Sequence, residues 1–77
     1  MQGKRVYLEP GDCHLLKPGE YTLNYAVPPE CNLIANLNHH KVIEHEDGTI
    51  TVSPSILVSN SVTEWHGFLE RGVWRKC

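Results

Sequence analysis

Ser55 and His66 are the two residues whose types and spacing could support covalent chemistry. Ser55 closes a Ser-Pro-Ser run that opens the apolar stretch 56–58, and His66 follows eleven residues later in the run Glu-Trp-His-Gly-Phe. A hydroxyl and an imidazole brought together across adjacent strands are the minimal parts of a nucleophilic hydrolase. The alternative is a proline that marks the start of a strand, with a half-buried histidine in a small β-domain. The residue types leave both interpretations open.

Several neighbours bear on this pair. Ser53 lies two residues before Ser55 and faces the same way in an extended chain, so it is a second candidate catalytic serine. Gly67 follows His66 and would permit a close approach of another backbone. A histidine base also needs a group that orients its other ring nitrogen. The candidates for that group are three glutamates: Glu44, Glu46 and Glu64.

Cysteine and histidine are plentiful enough to raise the question of a metal site. The candidate ligands are Cys13, His14, Cys31, His39, His40, His45, His66 and Cys77. No Cys-x-x-Cys pair of the kind that forms a zinc knuckle occurs among them. We therefore expect no metal and no cofactor, and a small metal-binding domain is an alternative. Cys31 is more typical of a small buried hydrophobic residue than of a nucleophile.

Length and charge restrict the class of protein. A chain of 77 residues predicts a single domain spanning 1–77. The net charge of −2 and the scattered positions of seven Lys and Arg give no support for nucleic-acid binding. No apolar run approaches the ~20 residues of a membrane span, and no signal peptide is recognisable. Three cysteines are an odd number without such a signal, so we expect a cytoplasmic protein. The charge and the lack of an apolar span lead us to expect neither nucleic-acid nor membrane partners.

Alternating apolar residues and turn residues predict an all-β fold. The predicted strands are 4–8, 20–26, 41–45, 49–52, 55–58, 65–69 and 73–75, with further apolar pieces at 13–16 and 32–37. No window has a convincing helical period. We expect a small, single-domain, mostly antiparallel sheet or partly open barrel of six to eight short strands and hairpins. Trp65, Phe68 and Trp74 should form the core or a cross-strand aromatic cluster.

Two glycine-containing turns indicate where hairpins reverse. Asp47-Gly48 lies between two β-leaning segments, which predicts a two-residue type I′ turn with positive φ at both central residues. Arg71-Gly72 lies between the last two predicted strands and indicates a second hairpin.

Residues 31–77 carry a resemblance to a known family. The matching features are Cys31, the apolar run 33–37, His39-His40, Asp47-Gly48-Thr49, Pro54-Ser55-Ile56, His66, Phe68, Gly72, Trp74 and Cys77. The chain resembles the BubE-type peptidases, small phage and bacterial proteins associated with bacterial ubiquitin-like conjugation operons. Some phage members carry the label ammonia monooxygenase. The cysteine-rich knuckle of many members is reduced here to Cys31 alone.

The resemblance implies a serine peptidase that cleaves after the C-terminal tail of a ubiquitin-like protein. On that interpretation Ser55 is the nucleophile and His66 its general base. A different class of function is a non-catalytic phage β-protein that binds a host protein through an exposed sheet edge. Hydrogen-bond contact between the two side chains would favour the hydrolase. Convergent Cys and His side chains would favour the metal-binding domain.

Overall fold

Eight strands form two four-stranded sheets in the computed structural model, which describes residues 1–77 apart from the side chain of Pro10. The first sheet has the order β1-β2-β3-β4 and the second β5-β6-β7-β8. The strands are β1 Lys4–Arg5, β2 Glu20–Tyr21, β3 Tyr25–Ala26, β4 Ala35–Asn36, β5 Lys41–Glu44, β6 Ile50–Ser59, β7 Glu64–Glu70 and β8 Val73–Lys76. All pairings are antiparallel except the parallel pair β1–β2. The predicted all-β, mostly antiparallel fold is confirmed, and the sheets do not close into a barrel.

The first sheet is built from shorter strands than the sequence predicts. The segment 20–26, predicted as one strand, is a tight hairpin in which Tyr21 pairs with Ala26. The Thr22 hydroxyl accepts hydrogen bonds from the backbone N–H groups of Asn24 and Tyr25, both at 3.1 Å. Such local side-chain bonds compete with an extended backbone, and here they stabilise the reversal. The prediction of one continuous strand was therefore wrong.

A short 3₁₀ helix, Pro10–Leu15, occupies most of the apolar piece predicted at 13–16. Helical periodicity could not indicate it, because a helix of six residues completes only two turns. None of the helices in the described part of the chain combines the length and apolar character needed to cross a membrane.

The second sheet contains both predicted hairpins, but their turn types differ. Gly48 has a φ of +88°, whereas Asp47 does not have a positive φ. The Gly48 N–H donates to the His45 carbonyl at 3.0 Å, so this loop is a type I turn followed by a left-handed glycine. The prediction of a type I′ turn at this position was wrong. The type I′ geometry occurs instead at Arg71 and Gly72, whose φ values are +48° and +78°.

The buried side chains of both sheets form one hydrophobic cluster. Its members are Tyr21, Ala26, Cys31, Ala35, Leu37, Ile50, Val52, Ile56, Trp65, Leu69 and Trp74. Trp65 and Trp74 meet edge to face, with ring centroids 5.4 Å apart and planes at 89°, an arrangement that adds about 0.5–1.5 kcal/mol to their burial. The Trp74 indole N–H donates to the Gly19 carbonyl at 3.0 Å and so joins the second sheet to the first. Phe68 does not join these aromatics, because it lies on the opposite face of β7.

The turn after β5 contains a carboxylate whose ionisation contributes to stability. The hydroxyl and the backbone N–H of Thr49 donate to Asp47 at 2.6 and 3.0 Å. These bonds hold the pKa of Asp47 below its ordinary value, the hydroxyl contributing most. The stabilisation is therefore complete above the ordinary aspartate pKa of about 3.9 and is lost as the pH falls through the lowered value in the folded state.

Replacing Asp47 by asparagine should reduce the loss of folding stability at low pH. Asp47→Asn keeps an acceptor oxygen but does not titrate, so urea unfolding midpoints between pH 5 and pH 2 should fall less than in the parent. Thr49→Val removes the strongest donor to Asp47 and should have a similar effect. An equal loss of stability at low pH in all three proteins would contradict this role of the carboxylate.

Candidate functional site: a serine–histidine pair on an open sheet face

Ser55 lies in a bulge at the middle of β6. Val52 pairs with Leu69 and Ile56 pairs with Gly67, so the three residues 53–55 of β6 lie opposite the single residue Phe68 of β7. Pro54 cannot donate to the ladder because it has no N–H, and its peptide bond with Ser53 is cis. A bulge re-aims the side chains next to it and often lies beside a functional site. Pro54 therefore interrupts the ladder within the bulge that carries Ser55.

His66 lies on the outward face of β7. The strand alternates strictly between exposed and buried residues, so Trp65 and Gly67 face the core while His66 is exposed. In register His66 stands opposite Leu57 of β6, which is also exposed. Because residues two apart in a strand share a face, Ser55 and Leu57 both lie on the side of β6 that His66 faces.

The structure brings the two predicted residues into contact. The Ser55 Oγ lies 2.8 Å from the His66 Nε2, a normal hydrogen-bond distance. When the Nε2 carries the lone pair, the serine hydroxyl donates to it, and this is the arrangement in which a histidine can accept the proton of an attacking serine. Ser55 is half-buried and His66 is exposed, so a substrate can approach the pair from solvent.

No third residue orients the His66 ring among the described residues. Among these residues, the His66 side chain forms a hydrogen bond only with Ser55. Of the predicted orienting glutamates, Glu44 forms an ion pair with Arg5 at 3.2 Å. Glu46 lies in the turn after β5, and Glu64 stands opposite Ser59 at the far end of β7. The arrangement is a serine–histidine pair rather than a triad.

The other predicted candidates lie apart from this contact. Ser53 is exposed and pairs in register with Lys41, and within the described part of the chain it makes no hydrogen bond to His66. Cys31 is 3% exposed, belongs to the hydrophobic cluster, and accepts a hydrogen bond from the Leu33 N–H at its Sγ. Across the described residues no group of three or more His, Cys, Asp or Glu side chains is arranged to hold a metal ion.

His40 is a contributor to the site that sequence reasoning considered only as a metal ligand. Its Nε2 lies 3.1 Å from the Ser55 carbonyl oxygen. A carbonyl only accepts hydrogen bonds, so the Nε2 must carry the proton and the neutral ring keeps its lone pair on Nδ1. That Nδ1 is buried and has no partner among the described residues. The sequence carries no signal for this contact, because it joins residues fifteen apart across a turn and a strand.

Gly67 allows the backbone of β8 to pack closely against β7 behind the site. A Cβ at this position would lie 2.5 Å from the Trp65 ring and 2.9 Å from the Lys76 Cα, and closer still to the Arg75 carbonyl. Glycine therefore lets β8 and the Trp65 ring pack directly against the strand that carries His66. The expected close backbone approach at Gly67 is present.

Comparison with known proteins finds no match. No family model, curated protein or solved structure matches this chain.

Proposed function

We propose that this protein is a serine hydrolase in which Ser55 is the nucleophile and His66 the general base. The observation that carries the proposal is the 2.8 Å contact between the Ser55 Oγ and the His66 Nε2. Two further observations support it: the bulge that sets Ser55 apart from the regular ladder, and the exposure of the pair to solvent.

The proposed reaction is acyl transfer to serine followed by hydrolysis. The Ser55 Oγ attacks the carbonyl carbon of the scissile bond while the His66 Nε2 takes the hydroxyl proton. As the bond to the leaving amine breaks, the imidazolium returns that proton to the amine nitrogen. A water molecule then attacks the Ser55 ester and gives a proton to His66. As the ester bond breaks, the imidazolium passes that proton to the Ser55 Oγ, which restores the serine and releases the acid product.

The proposed substrate is the C-terminal tail of a ubiquitin-like protein. This assignment rests on the resemblance to BubE-type peptidases in the residues around Ser55 and His66, and the bond cleaved is then the amide or isopeptide bond that follows the tail. The same resemblance leads us to propose a phage-encoded protein that acts in the bacterial host's cytoplasm. An exposed pair suits a protein substrate, because a folded domain can remain outside while its tail reaches the serine.

A mechanism-based probe tests the function directly. A ubiquitin-like protein with a C-terminal fluorophosphonate should label the parent once per chain, and peptide mass spectrometry should place the adduct on Ser55. Ser55→Ala should not be labelled, whereas Ser53→Ala, two residues away in the same bulge, should be labelled at the parental rate. An adduct on Ser53, or labelling that survives Ser55→Ala, would overturn the assignment.

His40 is proposed as a positioning residue that acts through Ser55. Its bond to the Ser55 carbonyl restrains the backbone that carries the nucleophile. His40→Leu removes the donor and should lower kcat by roughly tenfold, which corresponds to the net value of one hydrogen bond. His40→Gln places an amide N–H where the Nε2 was and should restore most of the rate. If both variants lose activity equally while their melting temperatures match the parent, the hydrogen bond is not the cause.

A non-catalytic binding module is the second candidate, and one observation favours it. β5 is an edge strand that pairs only with β6, and its Ile43 is 44% exposed. Unpaired strand edges accept a partner's strand by β-augmentation. A chain that reacts with no probe but binds a host protein, and loses that binding on Ile43→Pro, would support this candidate over the hydrolase.

A further inference from the structure

One half of β6 has an unpaired edge. β5 pairs with β6 only as far as the match of Lys41 with Ser53, whereas β7 pairs with β6 as far as Ser59. The chain before β5 turns away at 37–40 toward the first sheet, where the His40 N–H donates to the Leu37 carbonyl. Residues 56–59 therefore have a hydrogen-bonded neighbour strand on the β7 side and none on the other side among the described strands.

A groove of about 440 Å³ lies along this unpaired edge. Its walls are the second half of β6, β4 with the two residues before it, and the residue before β5. The lining residues are Leu33, Ile34, Ala35, Asn36, His40, Ile56, Leu57, Val58 and Ser59. No Lys, Arg, Asp or Glu is among these residues. His40 closes the end of the groove next to Ser55. The groove therefore begins beside the backbone of the residue that carries the candidate nucleophile, and no residue of fixed charge lines it.

The direction of the Ser55 carbonyl shows which backbone groups face this groove. It points away from β7, toward His40. Successive residues of a strand direct their N–H and C=O groups to opposite sides, so Leu57 and Ser59 direct theirs to the same side as Ser55. By the same alternation Ile56 and Val58 direct theirs toward β7, with which residues 56–59 are all in register. Leu57 and Ser59 thus offer donors and acceptors that no described strand uses.

We propose that this groove binds, as an added β-strand, the uncharged peptide segment on the acyl side of the bond that Ser55 attacks. The inference rests on the proposed function and defines its substrate class: an extended, flexible tail without charged residues. The four residues from Ile56 to Ser59 extend roughly 13 Å at the rise of a strand, which accommodates three or four tail residues. Backbone pairing supplies the affinity, and Leu33 and Ile34 contact one apolar side chain of the tail.

The binding test uses Ser55→Ala, so that cleavage plays no part. The probe is a fluorescein-labelled pentapeptide, Ala-Leu-Ala-Gly-Gly, and its binding is measured by fluorescence anisotropy. Adding Ile34→Glu places a charge in the groove and should weaken binding at least tenfold. Adding Leu23→Glu is the matched control: Leu23 is 39% exposed, as is Ile34, lies outside the groove, and its substitution should leave binding unchanged. Equal binding by the two variants would overturn the proposal.

Peptides with single N-methyl groups test the pairing itself. In a strand pair only alternate residues direct their N–H to the partner, so methylation at alternate positions of the probe should weaken binding at least tenfold and methylation between them should have little effect. Uniform effects along the peptide would overturn the strand-addition mode.

Hydrolysis of p-nitrophenyl acetate separates failure of the groove from failure of the function. This small ester needs the Ser55–His66 pair but not the groove, so the parent should hydrolyse it and Ser55→Ala should not. If Ile34→Glu and its control bind the peptide equally while Ser55-dependent ester turnover is normal, only the groove proposal is refuted. Ester turnover that survives Ser55→Ala would refute the proposed function alone.

Discussion

Ser55→Ala and His66→Ala are each expected to lower the turnover of a ubiquitin-like substrate by at least 10³-fold while leaving the fold intact. Each removes one partner of the 2.8 Å contact, and neither side chain belongs to the hydrophobic cluster. Residues that act as a unit are not additive, so the double variant should be hardly slower than either single variant. The measurement is kcat/KM together with the melting temperature.

The neighbouring serine tests whether the contact with His66, rather than the bulge itself, makes Ser55 reactive. Ser53→Ala is the control, because Ser53 shares the bulge but makes no contact with His66 in the described structure. Parental rates in Ser55→Ala, or a loss as large in Ser53→Ala, would show that the wrong serine has been assigned.

Gly67→Ala is expected to destabilise the protein by about 1–3 kcal/mol or more. The added Cβ would meet the backbone of β8 and the Trp65 ring, neither of which can move without disturbing the core. For a domain of this size each kcal/mol lowers the melting temperature by roughly 4–8 °C. Thermal and urea unfolding of the variant and the parent measure the effect.

Gly11→Ala is the matched control for this substitution. A Cβ at Gly11 would meet nothing within 4 Å, and the residue lies in the 3₁₀ helix, away from β7. Its stability should equal that of the parent or exceed it slightly, because alanine loses less backbone entropy than glycine on folding. Equal stability of the Gly67→Ala variant and the parent would mean that β7 and β8 can separate without cost.

Local sequence patterns predicted part of the site. The alternation of residues 64–70 indicates one apolar and one polar face, and β7 indeed buries Trp65 and Leu69 while exposing His66. The Ser-Pro-Ser run indicates an irregular strand, because proline cannot donate to a ladder. These two signals select Ser55 and His66 as candidates. They do not distinguish Ser55 from Ser53, since two serines of an ideal extended chain share a face.

The bulge makes that distinction, and it is a property of paired strands. Three residues of β6 lie opposite Phe68 alone, and this shifts the register between Val52 and Ile56. Ser55 consequently reaches the His66 ring, whereas Ser53 keeps the regular pairing with Lys41. Register depends on where both partner strands begin and end, and no short window of sequence contains that information.

What the sequence by itself determined is the all-β class, the positions of both hairpins and the outward face of β7, because strand alternation and turn glycines act over a few residues. The tertiary structure alone decided the contact of His40 with the Ser55 carbonyl and the groove along β6. Each of these depends on where one segment lies relative to another. The first sheet draws the chain at 37–40 away from β6, and that path both delivers His40 and leaves the β6 edge unpaired.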